Sequence, residues 1–126
     1  MDIIVLPEAT DMPCLCKTKE ERLLSIEKYN KAILEKAGQT AKRCNAILFV
    51  NARYKTDVGY RNTTYAFDKN GETKGLYFKK QLTPGEMKQE EMDVSYEFEH
   101  EKPTVIEIDG IRFGFLTCYD FYFYLI

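Results

Sequence analysis

The sequence has no long apolar run, almost no excess of charge and a single histidine. Its apolar stretches are strand-sized, as in residues 46–50 (Ala-Ile-Leu-Phe-Val). A bilayer-crossing helix needs roughly 20 such residues, so no membrane span is expected. Basic residues number 18 and acidic residues 20, for a net charge of -2. That balance offers nothing to a phosphate backbone, and nucleic acid is excluded as a partner. The one histidine, His100, sits among Glu97, Glu99 and Glu101. A metal centre needs several ligands, so this stretch reads as a solvated loop. No basic segment followed by an apolar one opens the chain, so no secretory signal is expected. The four cysteines, Cys14, Cys16, Cys44 and Cys118, then read as reduced thiols of a cytoplasmic protein rather than as disulfides. Cys14 and Cys16 lack the two-residue gap of a zinc knuckle. No repeat, linker or low-complexity segment stands out.

What is present is an ordinary globular balance in 126 residues, 44% hydrophobic and 30% charged, enough for one domain. Residues 2–6 (Asp-Ile-Ile-Val-Leu) form an apolar run closed by Pro7 and read as a fully buried central strand. Residues 9–18 lack a period and read as a loop. Thr18 followed by Glu21 forms a capping box, and from Lys19 to about Cys44 the pattern is helical. Leu23, Ile26, Ile33, Ala37 and Ala41 share one face and Lys28, Lys31, Glu35, Lys36 and Lys42 the other. Gly38 marks a break or a close approach, and Asn45 ends the helix. Residues 46–50 are a second buried strand, so strand, helix and strand suggest a parallel pair with a helical crossover. Two hairpins follow. Residues 60–68 and 73–80 alternate about Asn70-Gly71, and residues 104–108 and 111–117 about Asp109-Gly110, both type I′ signals. Residues 82–102 read as a long acidic loop with at most one helical turn. The fold class is α/β with a mixed sheet.

Three short stretches place a polar functional residue where an apolar strand ends: Glu8, Lys79 and Cys118. Strand ends on one side of an α/β sheet converge, and active sites form there. The chemistry of such a trio is coherent. A cysteine is the strongest side-chain nucleophile near neutral pH once its proton is removed. A carboxylate can take that proton and later activate water. An ammonium can stabilise the oxyanion of a tetrahedral intermediate. Each residue alone is more often bland: a solvated carboxylate, a surface cation, a small core hydrophobe.

Together they resemble the nitrilase superfamily of carbon–nitrogen hydrolases. Residues 2–8 (Asp-Ile-Ile-Val-Leu-Pro-Glu) resemble that family's Glu motif. Residues 77–86 (Tyr-Phe-Lys-Lys-Gln-Leu-Thr-Pro-Gly-Glu) resemble its Lys motif, and residues 114–121 (Gly-Phe-Leu-Thr-Cys-Tyr-Asp-Phe) its Cys motif, in the family's order. Asn62 and the two turns fit the family's layout, and the resemblance covers essentially the whole chain. It implies Glu8 as general base, Cys118 as nucleophile, Lys79 as the catalytic lysine with Lys80 the second choice, Glu86 as a second glutamate, and Tyr119 lending a backbone N–H to the oxyanion. It implies a four-layer α-β-β-α sandwich, no cofactor or metal, a small amide or nitrile substrate with amide favoured, a thioester intermediate, and a homo-oligomer. After Cys-Tyr-Asp-Phe the family's Arg and Phe-Pro-Glu are replaced by residues 122–125 (Tyr-Phe-Tyr-Leu), which puts the turn after the nucleophile in question. The family also has a strand and helix before the Glu motif and a second half after the Cys motif. The expectation is therefore an incomplete domain, marginal or self-associating in isolation through its exposed edges. An inactive homologue or a binding remnant is the alternative function. The acidic loop and aromatic end are the only features that favour a scaffold.

Overall fold

A computed structural model describes residues 2–12, 16–95 and 104–124. His100, Cys14 and the pair Leu125-Ile126 fall outside these residues. The elements in chain order are β1 (Ile3–Val5), α1 (Lys19–Cys44), β2 (Ile47–Lys55), β3 (Tyr60–Phe67), β4 (Thr73–Phe78), α2 (Pro84–Gln89), β5 (Val105–Ile108), β6 (Ile111–Gly114), a 3-10 turn (Cys118–Asp120) and α3 (Phe121–Tyr124).

Helix α1 begins and ends where its capping residues dictate. The Thr18 side chain accepts the Glu21 N–H at 3.1 Å, and the Glu21 carboxylate accepts the Thr18 N–H at 3.2 Å. Glu20 and Glu21 sit in the first turn and Lys42 and Arg43 in the last, matching the helix dipole. Asn45 then turns left-handed (φ 49°) and stops the helix. The chain enters β2, which lies parallel to β1, with Ile3 opposite Ile47. Strands β2, β3 and β4 continue antiparallel, giving one mixed sheet in the order β1-β2-β3-β4.

Strand alternation sorts two cores. Leu48, Val50, Ala52, Tyr65 and Phe67 face α1, where Ala37 and Ala41 meet them. Ile47, Phe49 and Ala66 face the separate β5–β6 hairpin through Ile106 and Ile108. Helix, sheet and hairpin thus make three layers. Two glycines set the spacing. At Gly71 (φ 79°) a Cβ would fall 2.5 Å from the Gly38 carbonyl oxygen, so α1 and the β3–β4 turn touch backbone to backbone. Gly38 is therefore a close approach and not a helix break. At Gly75 a Cβ would lie 2.8 Å from Ile106, whose side chain rests on that bare backbone.

Four expectations change. Strand β1 is not buried: it is the edge of the sheet, with Ile3 47% and Val5 71% exposed. Among the described residues it has β2 on one side and nothing on the other, and the hairpin packs on its neighbours. Strand β2 runs on to Lys55 instead of ending at Val50. Strand β6 stops at Gly114. The turn at Asn70-Gly71 is not type I′, since only Gly71 has positive φ. Asp68 organises that longer turn by accepting the N–H groups of Asn70 and Glu72. At the other hairpin both Asp109 (φ 52°) and Gly110 (φ 78°) are left-handed, as type I′ requires.

Candidate active site

The face of the sheet that carries the hairpin changes character along its length. On β2 the same-face series runs Ile47, Phe49, then Asn51 and Arg53. On β3 it runs Ala66, Thr64, Asn62. On β4 it passes Gly75 and Tyr77 and reaches Lys79 just beyond the strand. One end of this face is apolar and packed, and the other is polar and buried. Strands β1 and β4 end at that polar end, which brings Glu8 and Lys79 together from sequence positions 71 residues apart.

Asn51 fixes the Glu8 segment. It accepts the Ala9 N–H on its side-chain oxygen at 2.8 Å and the Thr10 N–H on its backbone oxygen at 2.9 Å. Its amide donates to Asn62 Oδ1 at 2.7 Å, which orients Asn62. Asn62 Nδ2 then donates to both Glu8 Oε1 (2.8 Å) and Glu86 Oε1 (2.6 Å). Lys79 Nζ repeats that bridge, to Glu8 Oε1 at 2.8 Å and Glu86 Oε2 at 2.9 Å. Two carboxylates are therefore held side by side by one ammonium and one amide. Glu86 comes from the N-terminus of α2. There Thr83 and Glu86 form a second capping box, and Glu86 Oε2 accepts the Thr83 N–H at 2.8 Å.

Lys79 is 1% exposed. Burial alone would depress its pKa, but its hydrogen bonds to Glu8 and Glu86 carry it above the ordinary lysine value. Burial pushes the Glu86 carboxyl up, and the Thr83 N–H, Asn62 and Lys79 outweigh it, so the group lies below its ordinary value. Glu86 is ionised and Lys79 protonated at neutral pH.

Cys118 stands at the head of the 3-10 turn with left-handed backbone (φ 46°), its side chain at the surface. Burial of the sulfur, then the nearby Glu8 charge and a hydrogen bond to Glu8, raise its pKa, with Lys79 opposing. The resting group is a thiol beside a carboxylate, not a preformed thiolate. A cavity of about 330 Å³ opens here, with Glu8, Asn51, Thr64 and Cys118 on its polar wall and Phe49 and Phe115 among its apolar walls. Lys79 and Glu86 do not line it; they stand behind Glu8.

Asp120 bolts the Cys118 turn to the Lys79 segment. It is fully buried. Its Oδ1 accepts the N–H groups of Lys80 (3.0 Å) and Gln81 (2.7 Å). Its Oδ2 accepts the Thr117 N–H at 3.0 Å and the Tyr77 hydroxyl. Tyr119, in the same turn, packs its ring against Tyr122 and Phe123. Among the described residues no group of three or more His, Cys, Asp or Glu side chains is arranged to hold a metal ion, and no helix is long and apolar enough to cross a membrane.

The sequence pattern of the family described as carbon-nitrogen hydrolase matches residues 1–126. The chain belongs to that family. Several solved structures share the fold. A carbon-nitrogen hydrolase from Helicobacter pylori G27 superposes with a TM-score of 0.74 at 18% identity, over 95% of this chain and 40% of that one. The NitFhit protein of C. elegans gives 0.73 at 25% identity, over 94% and 30%. A glutamate-to-glutamine mutant of the amidase from Nesterenkonia sp. AN1 gives 0.64 at 18% identity, over 94% and 43%. That amidase carries the acetamide moiety of fluoroacetamide on its active-site cysteine. The chain thus spans less than half the length of each of these structures. None of the curated proteins compared with it matches by sequence.

Of the residues singled out from the sequence, Glu8, Lys79, Glu86 and Cys118 meet at one place. Lys80 is buried as well, but its backbone N–H goes to Asp120. Asn51, Arg53 and Asp120 were not singled out as site residues, and Asn62 only as part of a layout. The signal for the first two was their period: polar residues at positions that continue the inward series of Ile47 and Phe49. The signal for Asp120 was a carboxylate two residues after Cys118.

Proposed function

We propose that this chain carries the acylating centre of an amide hydrolase, with Glu8 as general base, Lys79 as oxyanion stabiliser and Cys118 as nucleophile. The observation that carries the reading is that Cys118 and Glu8 line one cavity while the same Glu8 carboxylate binds the buried Lys79 ammonium at 2.8 Å. Glu8 takes the Cys118 proton as Sγ attacks the amide carbonyl carbon. The C–O electron pair moves to oxygen, where the Tyr119 backbone N–H donates to the oxyanion and the Lys79 ammonium, from behind Glu8, stabilises it through its charge. Collapse expels the amine, which receives the proton from Glu8, and leaves a thioester on Cys118. Glu8 then deprotonates water for attack on the thioester, and the carboxylic acid leaves as the thiol is restored. Glu86 stays ionised and keeps Lys79 charged throughout. The cavity of about 330 Å³ is at the small end of ligand sites, and with the amidase among the structural relatives it supports a small amide over a nitrile.

A second reading, a homologue without turnover, is favoured by the exposure of Val5 and Leu116 on the cavity wall, which leaves the thiol open to water. Incubating the full chain with acetamide and propionamide, with acid quench and mass spectrometry, separates the two. An acyl adduct on Cys118 that disappears in Cys118→Ala, together with ammonia release, is expected. Ammonia release unchanged in Cys118→Ala removes the hydrolase reading.

A further inference from the structure

Helix α2 has six residues and buries none of them, so apolar packing does not seat it. Yet it delivers Glu86 to Lys79. Backbone bonds between Tyr60 and residues Glu91 and Asp93 fix the chain just beyond it, and a buried side-chain contact reaches it from β2. Arg53, 3% exposed, donates Nε to Glu90 Oε1 at 2.5 Å and Nη2 to Glu90 Oε2 at 3.1 Å. The same Nη2 lies 3.9 Å from Glu86 Oε1. Glu86 is the N3 residue of α2 and Glu90 its C-cap. They are four apart and stack on one helix face.

We propose that Arg53 is a positioning residue: one guanidinium grips two carboxylates a helical turn apart on α2 and so holds Glu86 against Lys79. Arginine suits this because its fork is planar, permanently charged and able to bind one carboxylate with two parallel bonds while reaching a second. Each surrounding charge fits. Arg53 meets Glu90 and Glu86 from α2 and Asp11 from the loop after β1, where the Arg53 backbone N–H donates to Asp11 Oδ2 at 2.9 Å. Glu86 meets Lys79 from the end of β4 and Arg53 from β2, with Glu8 on the far side of Lys79. Without Arg53, the buried Glu90 and the part-buried Glu86 face each other and Asp11 with one cation fewer, and no residue of the helix is buried to keep it in place. Buried ion pairs often do little for stability against apolar replacements. The expected signature is therefore in the site rather than in the melting temperature.

The turnover readout rests on the amide-hydrolase reading above; the titration readout does not. In the full chain, Arg53→Met is expected to lower kcat about 10–100-fold while KM stays within about threefold, as for a catalytic group displaced by about an ångström. Glu86→Gln should lower kcat by a similar factor, and the double variant should fall no further than Glu86→Gln alone. Arg53→Lys keeps the charge without the fork and recovers part of the loss. Losses that multiply in the double variant overturn the proposal, as does a loss that only follows the folded fraction. Glu90→Gln tests the same grip, about 3–10-fold in kcat, if Arg53→Met does not fold. If the wild-type chain shows no turnover, the hydrolase reading fails. The grip is then read from the Glu86 carboxyl titration by carbon-13 NMR, its resonance assigned with Glu86→Gln. A midpoint about one pH unit higher in Arg53→Met supports it; an unchanged midpoint overturns it.

Discussion

Replacing Asp120 with asparagine changes no volume and tests whether the Cys118 turn hangs on that carboxylate. Asp120 accepts four hydrogen bonds: from the backbone N–H groups of Lys80, Gln81 and Thr117 and from the Tyr77 hydroxyl. All are buried or part-buried. Asparagine keeps one oxygen, enough for the Lys80 and Gln81 pair. Its NH₂ then faces the Thr117 N–H, donor to donor, and the Tyr77 hydroxyl, which can rotate and accept. One buried N–H is orphaned, at about 1–3 kcal/mol, and the remaining bonds lose their charge assistance, at about 1 kcal/mol in all. The sum is about 2–4 kcal/mol. For a domain of this size that lowers Tm by about 4 °C per kcal/mol, or about 8–16 °C. Reversing the amide orphans the Lys80 and Gln81 N–H groups instead, so no rotamer escapes. The local consequence is larger than the global one, because Thr117 precedes Cys118 and the left-handed backbone of Cys118 (φ 46°) needs its surroundings to persist. The assay is thermal unfolding by circular dichroism, with iodoacetamide alkylation of Cys118 at a temperature where both proteins are folded. A Tm within about 2 °C of wild type and an unchanged alkylation profile would refute the reasoning.

Other expectations concern charge and backbone. In Glu8→Gln the carboxylate that raises the Cys118 pKa is gone while Lys79 remains. The pH midpoint of alkylation should move down; an upward move would contradict the electrostatics. Gly71→Ala places a Cβ 2.5 Å from the Gly38 carbonyl oxygen at φ 79°, so left-handed strain of about 1–2 kcal/mol plus the clash should lower Tm by at least about 5 °C. Stability should hold a plateau across neutral pH. Glu86 titrates lower folded than its ordinary 4.5, so its contribution is present above that value and fades as acid reaches the folded pKa. Lys79 titrates higher than its ordinary 10.5, so its contribution is complete below that value and is lost as base reaches the folded pKa. Urea midpoints measured across pH check both limbs, and Glu86→Gln should flatten the acid one.

Much of this was legible because it is local. The capping box at Thr18, the left-handed stop at Asn45 and the Asp109-Gly110 turn are decided by neighbours in sequence, and each formed as its residues dictate. The convergence of Glu8 and Lys79 was legible through family resemblance joined to a topological rule about strand ends. What stayed hidden depends on partners far away. Strand β2 was cut short at Val50 because Asn51 and Arg53 look like loop residues until Asn62, Glu8 and Glu90 arrive to satisfy them. Burial of β1 was overestimated because an apolar run records what a strand can tolerate, not which neighbours cover it. Asp120 looked like one letter of a motif; its task appears only when residues some forty positions earlier fold back onto it.

The bridge from Lys79 to Glu8 closes a loop of 71 residues, and its entropy of closure must be overcome before any contact across it is gained. During synthesis Glu8 and Cys14 leave the ribosome long before the lysine exists, and Cys118 later still. Until the strands are registered, the sulfur is an ordinary thiol with no proton acceptor beside it. The juxtaposition of carboxylate, ammonium and thiol in this polypeptide is thus a late event of folding, one that an unfinished or misregistered chain does not reach.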